Sequence, residues 1–215
     1  MENLRVVSHP LVQHYLTTLR DKDTGAGEFR RSLRGITTLL AYEATRDVPT
    51  ITCQVETPMG RTSGTKVCNG RVVLVAIFRA ALGMVEPISD LVPGARIGHL
   101  GIFRDERTLE PNLYYTRVPS DLQDSLVLVL DPMLATGGSL VKACSVLKEH
   151  GARHLRAVTI IAAPEGIAVM AREHPDVPVY TANVDERLNS IGYIVPGLGD
   201  AGDRQFGTFP EEEKT

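Results

Sequence analysis

The chain has 215 residues, of which 43% are hydrophobic and 23% are charged, and its formal net charge at pH 7 is −3. This composition is typical of a globular protein with a sizeable core, and the weakly acidic charge argues against nucleic acid as a partner. The three cysteines, Cys53, Cys68 and Cys144, form no CxxC pair, which argues against a metal site and against a disulfide framework.

The N-terminal residues and the hydropathy pattern bear on location. The first ten residues, MENLRVVSHP, lack the basic and then apolar pattern of a signal peptide. No apolar run approaches the roughly 18 residues that a membrane-spanning helix needs. We therefore expect a cytoplasmic protein with no membrane partner.

Two helices are predicted near the N-terminus. Pro10 begins the first, which ends near Asp21, and Asp23 or Thr24 is the expected cap of a longer second helix. Apolar residues recur every three or four positions in both segments, which gives each helix one apolar face (Val12, Tyr15, Leu16 and Leu19; Phe29, Leu33, Ile36, Leu39 and Leu40).

Residues 50–68 predict a β-arm. Their sequence, TITCQVETPMGRTSGTKVC, alternates weakly between apolar and polar residues and has Pro58, Met59 and Gly60 at its centre. An isolated hairpin is marginally stable in water, so we expect this arm to rest on a neighbour and to form a homodimer contact.

Short apolar runs alternate with helical patterns from residue 71 onward. The strands are predicted at 72–77, 95–102, 126–130, 155–162 and 177–182, and the helices at 83–91, 139–150 and 166–174. This alternation predicts a single α/β domain over residues 1–215, with a mainly parallel sheet flanked by helices. Ligands of such sheets bind beyond the carboxyl ends of the strands.

The stretch LVLDPMLATGGSL, residues 128–140, joins a buried strand to a helix expected to begin at Ser139. Free backbone N–H groups at a helix start favour an anion, and Gly137 and Gly138 let the backbone approach it closely. The nucleotide-binding spacing GxxxxGK[ST] is absent. A plain connection with Ser139 as the helix cap fits the same residues, but Asp131 at the strand end favours a cradle for a sugar phosphate.

The stretch LVLDPMLATGGS closely resembles the 5-phosphoribosyl-1-pyrophosphate (PRPP) loop of the uracil phosphoribosyltransferases. Asp131 is followed by Pro132, as in that branch, where other phosphoribosyltransferases have two acidic residues together. Further blocks resemble the same family in the same order, over nearly the whole chain: YEATRD (42–47), FRAALGM (78–84), ARIGHLGIFRDERTLEP (95–111), AAPEGI (162–167) and GYIVPGLGDAGDRQFGT (192–208). The resemblance implies the type I phosphoribosyltransferase fold and displacement of pyrophosphate from PRPP by N1 of uracil.

The resemblance also implies the site residues. Arg79 and Arg104 each follow a predicted strand at the edge where Asp131 lies, and a guanidinium suits phosphate oxygens. The expected catalytic residues are Arg79, Arg104, Asp131 and Asp200. PRPP is expected to contact those four residues together with Pro132, Met133, Leu134, Ala135, Thr136, Gly137, Gly138 and Ser139. Mg²⁺ is expected as a partner held mainly by PRPP oxygens, with no protein metal ligand named.

The C-terminal segment 183–215 is expected to bind the base. IVPGLGDAG is too rich in Gly and Pro for regular structure, so its backbone groups are free to face a ligand. Uracil presents an acceptor, a donor and an acceptor, which a bare backbone can match. By resemblance the uracil contacts come from Ile194, Gly199, Asp200 and Ala201. A Gly-rich loop with Asp200 as a turn former is the alternative.

Two features leave alternatives open. The family usually has Gly where this chain has Ala81, and a positive φ there would cost Ala about 1 kcal/mol or more. Residues 104–115 lack a clear period and fit either a lid over the site or an ordinary surface loop.

Two other functions compete with uracil transfer. One is the same chemistry with another base, which the block at 192–208 argues against. The other is a regulator that binds PRPP or a nucleotide at the same loop and attaches to RNA, which the net charge opposes. The family resemblance also makes a GTP effector possible.

Overall fold

The computed structural model of the chain describes residues 3–68, 70–104 and 111–208. The helices are α1 (Pro10–Arg20), α2 (Ala26–Ala44), α3 (Leu82–Leu91), α4 (Gly138–Glu149), α5 (Pro164–Glu173) and α6 (Ala201–Phe206). The strands are β1 (Leu4–Val6), β2 (Thr50–Thr57), β3 (Gly60–Val67), β4 (Val72–Phe78), β5 (Arg96–Arg104), β6 (Pro111–Arg117), β7 (Leu126–Leu130), β8 (Met133–Leu134), β9 (His154–Ala162), β10 (Val179–Val184), β11 (Arg187–Leu188) and β12 (Ile194–Val195).

The main sheet has the strand order β1-β10-β9-β7-β4-β5-β6, and β8 pairs with the end of β9. All of its pairings are parallel except the antiparallel pair β5–β6. The central strands β4 and β7 are buried almost throughout, as their continuous apolar runs predict. The predicted α/β fold is therefore confirmed.

Two apolar cores cover the two faces of the sheet. Alternate residues of each central strand point to opposite faces, because side chains alternate along a strand. Leu74 and Leu128 join the core that contains α1, α2 and α3, whereas Val73 and Val127 join the core that contains α4 and α5. The loops that follow β4 and β7 leave the sheet at the same edge, since Ala76 pairs with Leu130.

The arm predicted at 50–68 is confirmed. β2 and β3 form an antiparallel hairpin of their own, with Thr57 opposite Gly60 at the turn. Several apolar side chains of this hairpin are exposed (Ile51, Val55, Met59 and Val67), and Met59 at the tip is 96% exposed.

The start of α2 differs from the prediction. Gly25 is the cap, and no side chain closes the first turn. The Thr24 hydroxyl donates instead to the Thr18 carbonyl over 2.7 Å, which ties the connection back to α1. Asp23 donates its own N–H to Asp21 Oδ1. Both candidate caps are therefore used in the turn between the two helices.

The remaining boundaries lie within about two residues of the predicted ones. α5 begins at Pro164 rather than at 166, because proline is well suited to a first helical position. None of the helices in the described ranges combines the length and the apolar character needed to cross a membrane.

Candidate active site

A cavity of about 250 Å³ opens at the carboxyl edge of the sheet. Its walls come from the segment after β7, from the loop after β4 and from two pieces of the C-terminal segment. The lining residues are Ala80, Asp131, Pro132, Met133, Leu134, Ala135, Thr136, Gly137, Ser139, Leu140, Gly192, Tyr193, Gly199, Asp200 and Ala201. The predicted phosphate loop and part of the predicted base-binding segment thus share one cavity.

The segment after β7 is held firmly in place. Pro132 accepts the N–H groups of Ile160 and Ile161, and the two-residue strand β8 pairs with the end of β9. α4 begins at Gly138, one residue earlier than predicted, and Ser139 lies inside its first turn rather than at the cap. The free N–H groups of that first turn therefore open toward the cavity that Thr136, Gly137 and Ser139 line.

Gly137 is the cap of α4 and has a left-handed φ of +87°. A Cβ atom at this position would lie 3.1 Å from the Gly166 carbonyl oxygen and 3.1 Å from Val169 Cβ. Only glycine combines this backbone conformation with such close packing. The loop geometry therefore depends on Gly137.

Asp131 lies directly after β7 and lines the cavity. The pKa of its carboxyl group is raised to about 7, chiefly by burial; a hydrogen bond from the Met133 N–H opposes the rise and the negative charge of Asp200 adds to it. The Met133 contact is long, at 3.4 Å. The Asp131 carboxyl group therefore changes its charge near neutral pH.

Arg79 begins the loop after β4, next to the lining residue Ala80. Its Nη2 donates to Asp203 Oδ1 over 2.6 Å and its Nη1 to the Thr208 hydroxyl over 2.8 Å. A Cβ atom on Gly202 would lie 3.1 Å from Asp200 Oδ1 and 3.5 Å from Arg79 Nε. The Arg79 and Asp200 side chains therefore both lie next to Gly202, at the border of the cavity.

Position 81 does not need glycine. Ala81 has φ −79° and ψ −3°, an ordinary right-handed conformation, and caps α3. The strain that a positive φ would place on Ala81 is therefore absent, since the turn that leads into α3 is right-handed at this residue.

Arg104 is the last residue of β5, opposite Pro111 of β6. Its side chain and residues 105–110 lie outside the described part of the chain. Residues 111–115 belong to β6, so the part of the proposed lid that is described is an edge strand rather than a loop.

The prediction of irregular structure for IVPGLGDAG holds only for residues 196–200, because Ile194–Val195 form β12 and α6 begins at Ala201. Ile194 lies in β12, is buried and is not among the lining residues, whereas Gly199, Asp200 and Ala201 line the cavity. Asp200 caps α6 through a hydrogen bond from the Asp203 N–H to its Oδ1, 2.9 Å long. The turn-forming alternative for Asp200 is thus also realised, and its position at the cavity is compatible with both roles.

Comparison with known proteins decides the family. The family model described as uracil phosphoribosyltransferase matches residues 6–208. The chain belongs to the uracil phosphoribosyltransferase family. A uracil phosphoribosyltransferase of Finegoldia magna is 51% identical over 208 residues, which cover 97% of this chain and 100% of the relative. Another from Dictyoglomus thermophilum is 53% identical over 203 residues, or 94% and 98% of the two chains.

A solved structure supports the fold of this uracil phosphoribosyltransferase family member. The AQ2163 protein from Aquifex aeolicus superposes with a TM-score of 0.91 at 40% identity, and the match covers 95% of this chain and 98% of that one. The family predicted from the sequence blocks is therefore confirmed.

Four residues that line the cavity of this uracil phosphoribosyltransferase family member were not predicted from the sequence: Ala80, Leu140, Gly192 and Tyr193. Asn189 places the last two, because its side-chain oxygen accepts the N–H groups of Ile191 and Tyr193 over 3.1 and 2.9 Å. The stretch NSIGY contains this turn signal. Glu165, in the first turn of α5, accepts the Leu188 N–H and ties α5 to β11.

Proposed function

We propose that the protein is a uracil phosphoribosyltransferase, a pentosyltransferase of pyrimidine salvage. It transfers the phosphoribosyl group of PRPP to N1 of uracil and forms UMP and pyrophosphate. The observation that carries this proposal is the family match over residues 6–208, with relatives of the same name about 50% identical over their full length. The cavity adds a phosphate loop that faces a Gly-rich backbone segment.

The phosphate end of PRPP binds at the start of α4 in this proposal. The N–H groups of the first helical turn and the dipole of the helix favour the 5-phosphate. Asp131, which directly follows β7, accepts hydrogen bonds from the ribose hydroxyls when its carboxyl group is ionised. Arg79 and Arg104 neutralise the pyrophosphate as it gains charge in the transition state, and Asp200 contributes from the ribose side.

The base binds at 194–201. The O2, N3–H and O4 atoms of uracil alternate as acceptor, donor and acceptor, and backbone N–H and C=O groups of Ile194, Gly199 and Ala201 supply the complement. Cytosine reverses this pattern at N3 and C4 and leaves buried groups unpaired, which costs about 10⁴-fold in selectivity.

Mg²⁺ is part of the proposal as a partner of PRPP. In residues 3–68, 70–104 and 111–208 no three His, Cys, Asp or Glu side chains cluster as metal ligands would. The two carboxylates on the cavity wall, Asp131 and Asp200, fit a cation that substrate oxygens and water hold for the most part. When bound, such a cation offsets the charge of the leaving pyrophosphate.

A second copy of the chain is the proposed partner of the arm. The exposed apolar residues of β2 and β3 favour such a contact. Sedimentation of a variant that lacks residues 52–67 tests this, and an unchanged dimer would refute it.

A GTP effector and a cytoplasmic location are further proposals that come from the family. The rate of UMP formation with and without GTP tests the first.

The direct test is UMP formation from uracil and PRPP with Mg²⁺. We expect turnover with uracil and none with cytosine, hypoxanthine or orotate. Turnover with another base would assign the same chemistry to a different substrate. PRPP binding without turnover, together with RNA retention at physiological salt, would favour the regulator instead.

A further inference from the structure

The end of α1 holds the base-binding segment through a buried ion pair. Asp185, which follows β10, has a fully buried side chain. It accepts from both terminal nitrogens of Arg20, the last residue of α1: Nη1 to Oδ2 over 2.8 Å and Nη2 to Oδ1 over 2.5 Å. Asn183 donates to Asp185 Oδ1 over 2.7 Å. The pair thus has the geometry of a bidentate contact.

The Arg20–Asp185 ion pair forms hydrogen bonds with both the N–H and the carbonyl group of Gly197. The Gly197 N–H donates to Asp185 Oδ2 over 2.8 Å, and Arg20 Nη1 donates to the Gly197 carbonyl over 2.7 Å. Gly197 has a φ of +66°, and a Cβ atom there would lie 2.1 Å from the Ile194 carbonyl oxygen. Gly197 therefore packs directly against the backbone of Ile194, which we assign to base recognition.

Arg204 of α6 adds a second connection. Its Nη1 donates to the Leu198 carbonyl over 2.9 Å and also to the Leu19 carbonyl, and its Nη2 donates to the Asp21 carbonyl. The guanidinium carbon lies 4.6 Å from the centre of the Phe29 ring. Arg204 thus joins the loop that precedes Gly199 to the same end of α1.

None of Arg20, Asp185 and Arg204 lines the cavity, so each can act on a ligand only through the loop. Burial of charged groups is costly and is weak evidence for added stability. Burial also lowers the pKa of the Arg204 guanidinium. If these charged groups hold residues 196–199 in one geometry, that role explains why they are buried despite the cost.

We propose that Arg20, Asp185 and Arg204 are positioning residues for base recognition, which fix residues 196–199 against the end of α1. The inference rests on the proposed function and deepens it. Because the loop carries backbone groups that must meet the uracil edge, loosening it weakens uracil binding. The proposed phosphate contacts of PRPP lie at the start of α4 and at Arg79, and the side-chain hydrogen bonds of Arg20 and Arg204 go to other residues, so we expect PRPP binding to change little.

The test compares three arginine-to-lysine variants of the full chain: Arg20→Lys, Arg204→Lys and the control Arg156→Lys. Arg156 makes the same kinds of contact as Arg20, because it forms a bidentate pair with Asp47 and also donates to the Ala44 carbonyl over 2.6 Å, although Asp47, unlike Asp185, is exposed. Each lysine keeps the positive charge but loses the planar guanidinium, which donates to several acceptors at once. Steady-state KM for uracil and for PRPP, kcat and Tm are measured for all four proteins.

We expect Arg20→Lys and Arg204→Lys to raise the KM for uracil about tenfold, as the loss of one charged hydrogen bond would, with the KM for PRPP within about twofold of the parent. Arg156→Lys should lower Tm by less, because its partner Asp47 is exposed, and should leave both KM values unchanged. A merely structural role would give all three variants the same kinetics. If Arg20→Lys fails to fold, Arg204→Lys carries the same expectation.

The outcomes separate this inference from the proposed function. Suppose that the parent protein forms UMP but Arg20→Lys and Arg204→Lys either keep its KM for uracil or raise the KM values for uracil and PRPP equally. The positioning role is then overturned and the proposed function stands. If the parent forms no UMP, the proposed function falls and the inference falls with it.

Discussion

Arg79 and Asp203 form an ion pair, 2.6 Å between Nη2 and Oδ1, that joins the loop after β4 to α6. The Thr208 hydroxyl accepts a second hydrogen bond from the same guanidinium. The remaining N–H groups of the Arg79 guanidinium are donors for a further anion. Arg79→Lys should raise the KM for PRPP about tenfold or more, since one ammonium cannot hold these partners and also bind phosphate oxygens bidentately. Steady-state kinetics at varied PRPP concentrations measure this.

Arg34→Lys is the control for Arg79→Lys. Arg34 also contacts two acceptors, Glu86 and Asp90, but these lie on α3 at the surface. Its replacement should leave the KM for PRPP unchanged, because exposed ion pairs contribute little. Equal kinetics for Arg79→Lys and the parent would remove Arg79 from the site.

Asp131→Asn should lower kcat about 100-fold or more while the fold stays intact. The variant keeps the shape of the side chain but loses the charge that stabilises the ribose in its cationic transition state. Single-turnover rates measure the loss, and circular dichroism checks the fold. Near-normal turnover would exclude Asp131 from the chemistry.

The pH dependence follows from the same carboxyl group. Because the pKa of Asp131 is raised to about 7, this side chain is mostly protonated at acidic pH, and kcat/KM for PRPP should rise with pH through a midpoint near 7 and level off about one pH unit higher. Asp200→Asn should move the midpoint to lower pH, since the charge of Asp200 contributes to the raised pKa. A flat profile from pH 5.5 to 8.5 would contradict the assignment.

Stability should depend on pH in the opposite direction. The folded protein holds the Asp131 proton up to about pH 7, whereas the unfolded chain, whose pKa is ordinary, releases it near pH 4. Stability from this group is thus full below about pH 4 and declines as the pH rises to 7. Asp131→Asn should therefore raise Tm at pH 8 and not at pH 3.5, which calorimetry at the two pH values measures.

Gly137→Ala should both destabilise the protein and weaken PRPP binding. The left-handed backbone costs alanine about 1–2 kcal/mol, and the new methyl group would press on the Gly166 carbonyl and Val169. Gly151→Ala is the matched control, because Gly151 has a φ of +89° and nothing within 4 Å of its Cβ position. The control should lower Tm and leave the KM for PRPP unchanged. The phosphate-loop role fails if the two variants behave alike.

Ala81→Gly should lower stability by about 1 kcal/mol and leave the kinetics unchanged. Ala81 has an ordinary right-handed φ and is fully buried, so glycine would add freedom to the unfolded chain and remove packed atoms. Thermal unfolding and steady-state rates measure the two effects. A gain in kcat would show that this loop needs the glycine that the family usually has.

Local patterns in the chain predicted much of the fold and part of the site. The buried runs of β4 and β7 are continuous apolar segments, which only a strand covered on both faces tolerates. The predicted phosphate loop lines the cavity from Asp131 to Ser139, apart from Gly138. The predicted cap of α2 was wrong because Asp23 and Thr24 form hydrogen bonds within the turn between α1 and α2. Whether these residues cap the helix or bond within the turn depends on how the two helices pack together.

The amino-acid sequence by itself determined the order of the longer strands and helices, the phosphate loop and the family, because each of these depends on neighbouring residues. It did not predict the elements β1, β6, β8, β11, β12 and α6. Only the tertiary structure decided that Arg20 meets Asp185, 165 positions away, and that Arg79 meets Asp203, 124 positions away. It also brought Gly192 and Tyr193 to the cavity. Such contacts depend on the path of the whole chain through space, and no local pattern of charge or hydrophobicity encodes that path.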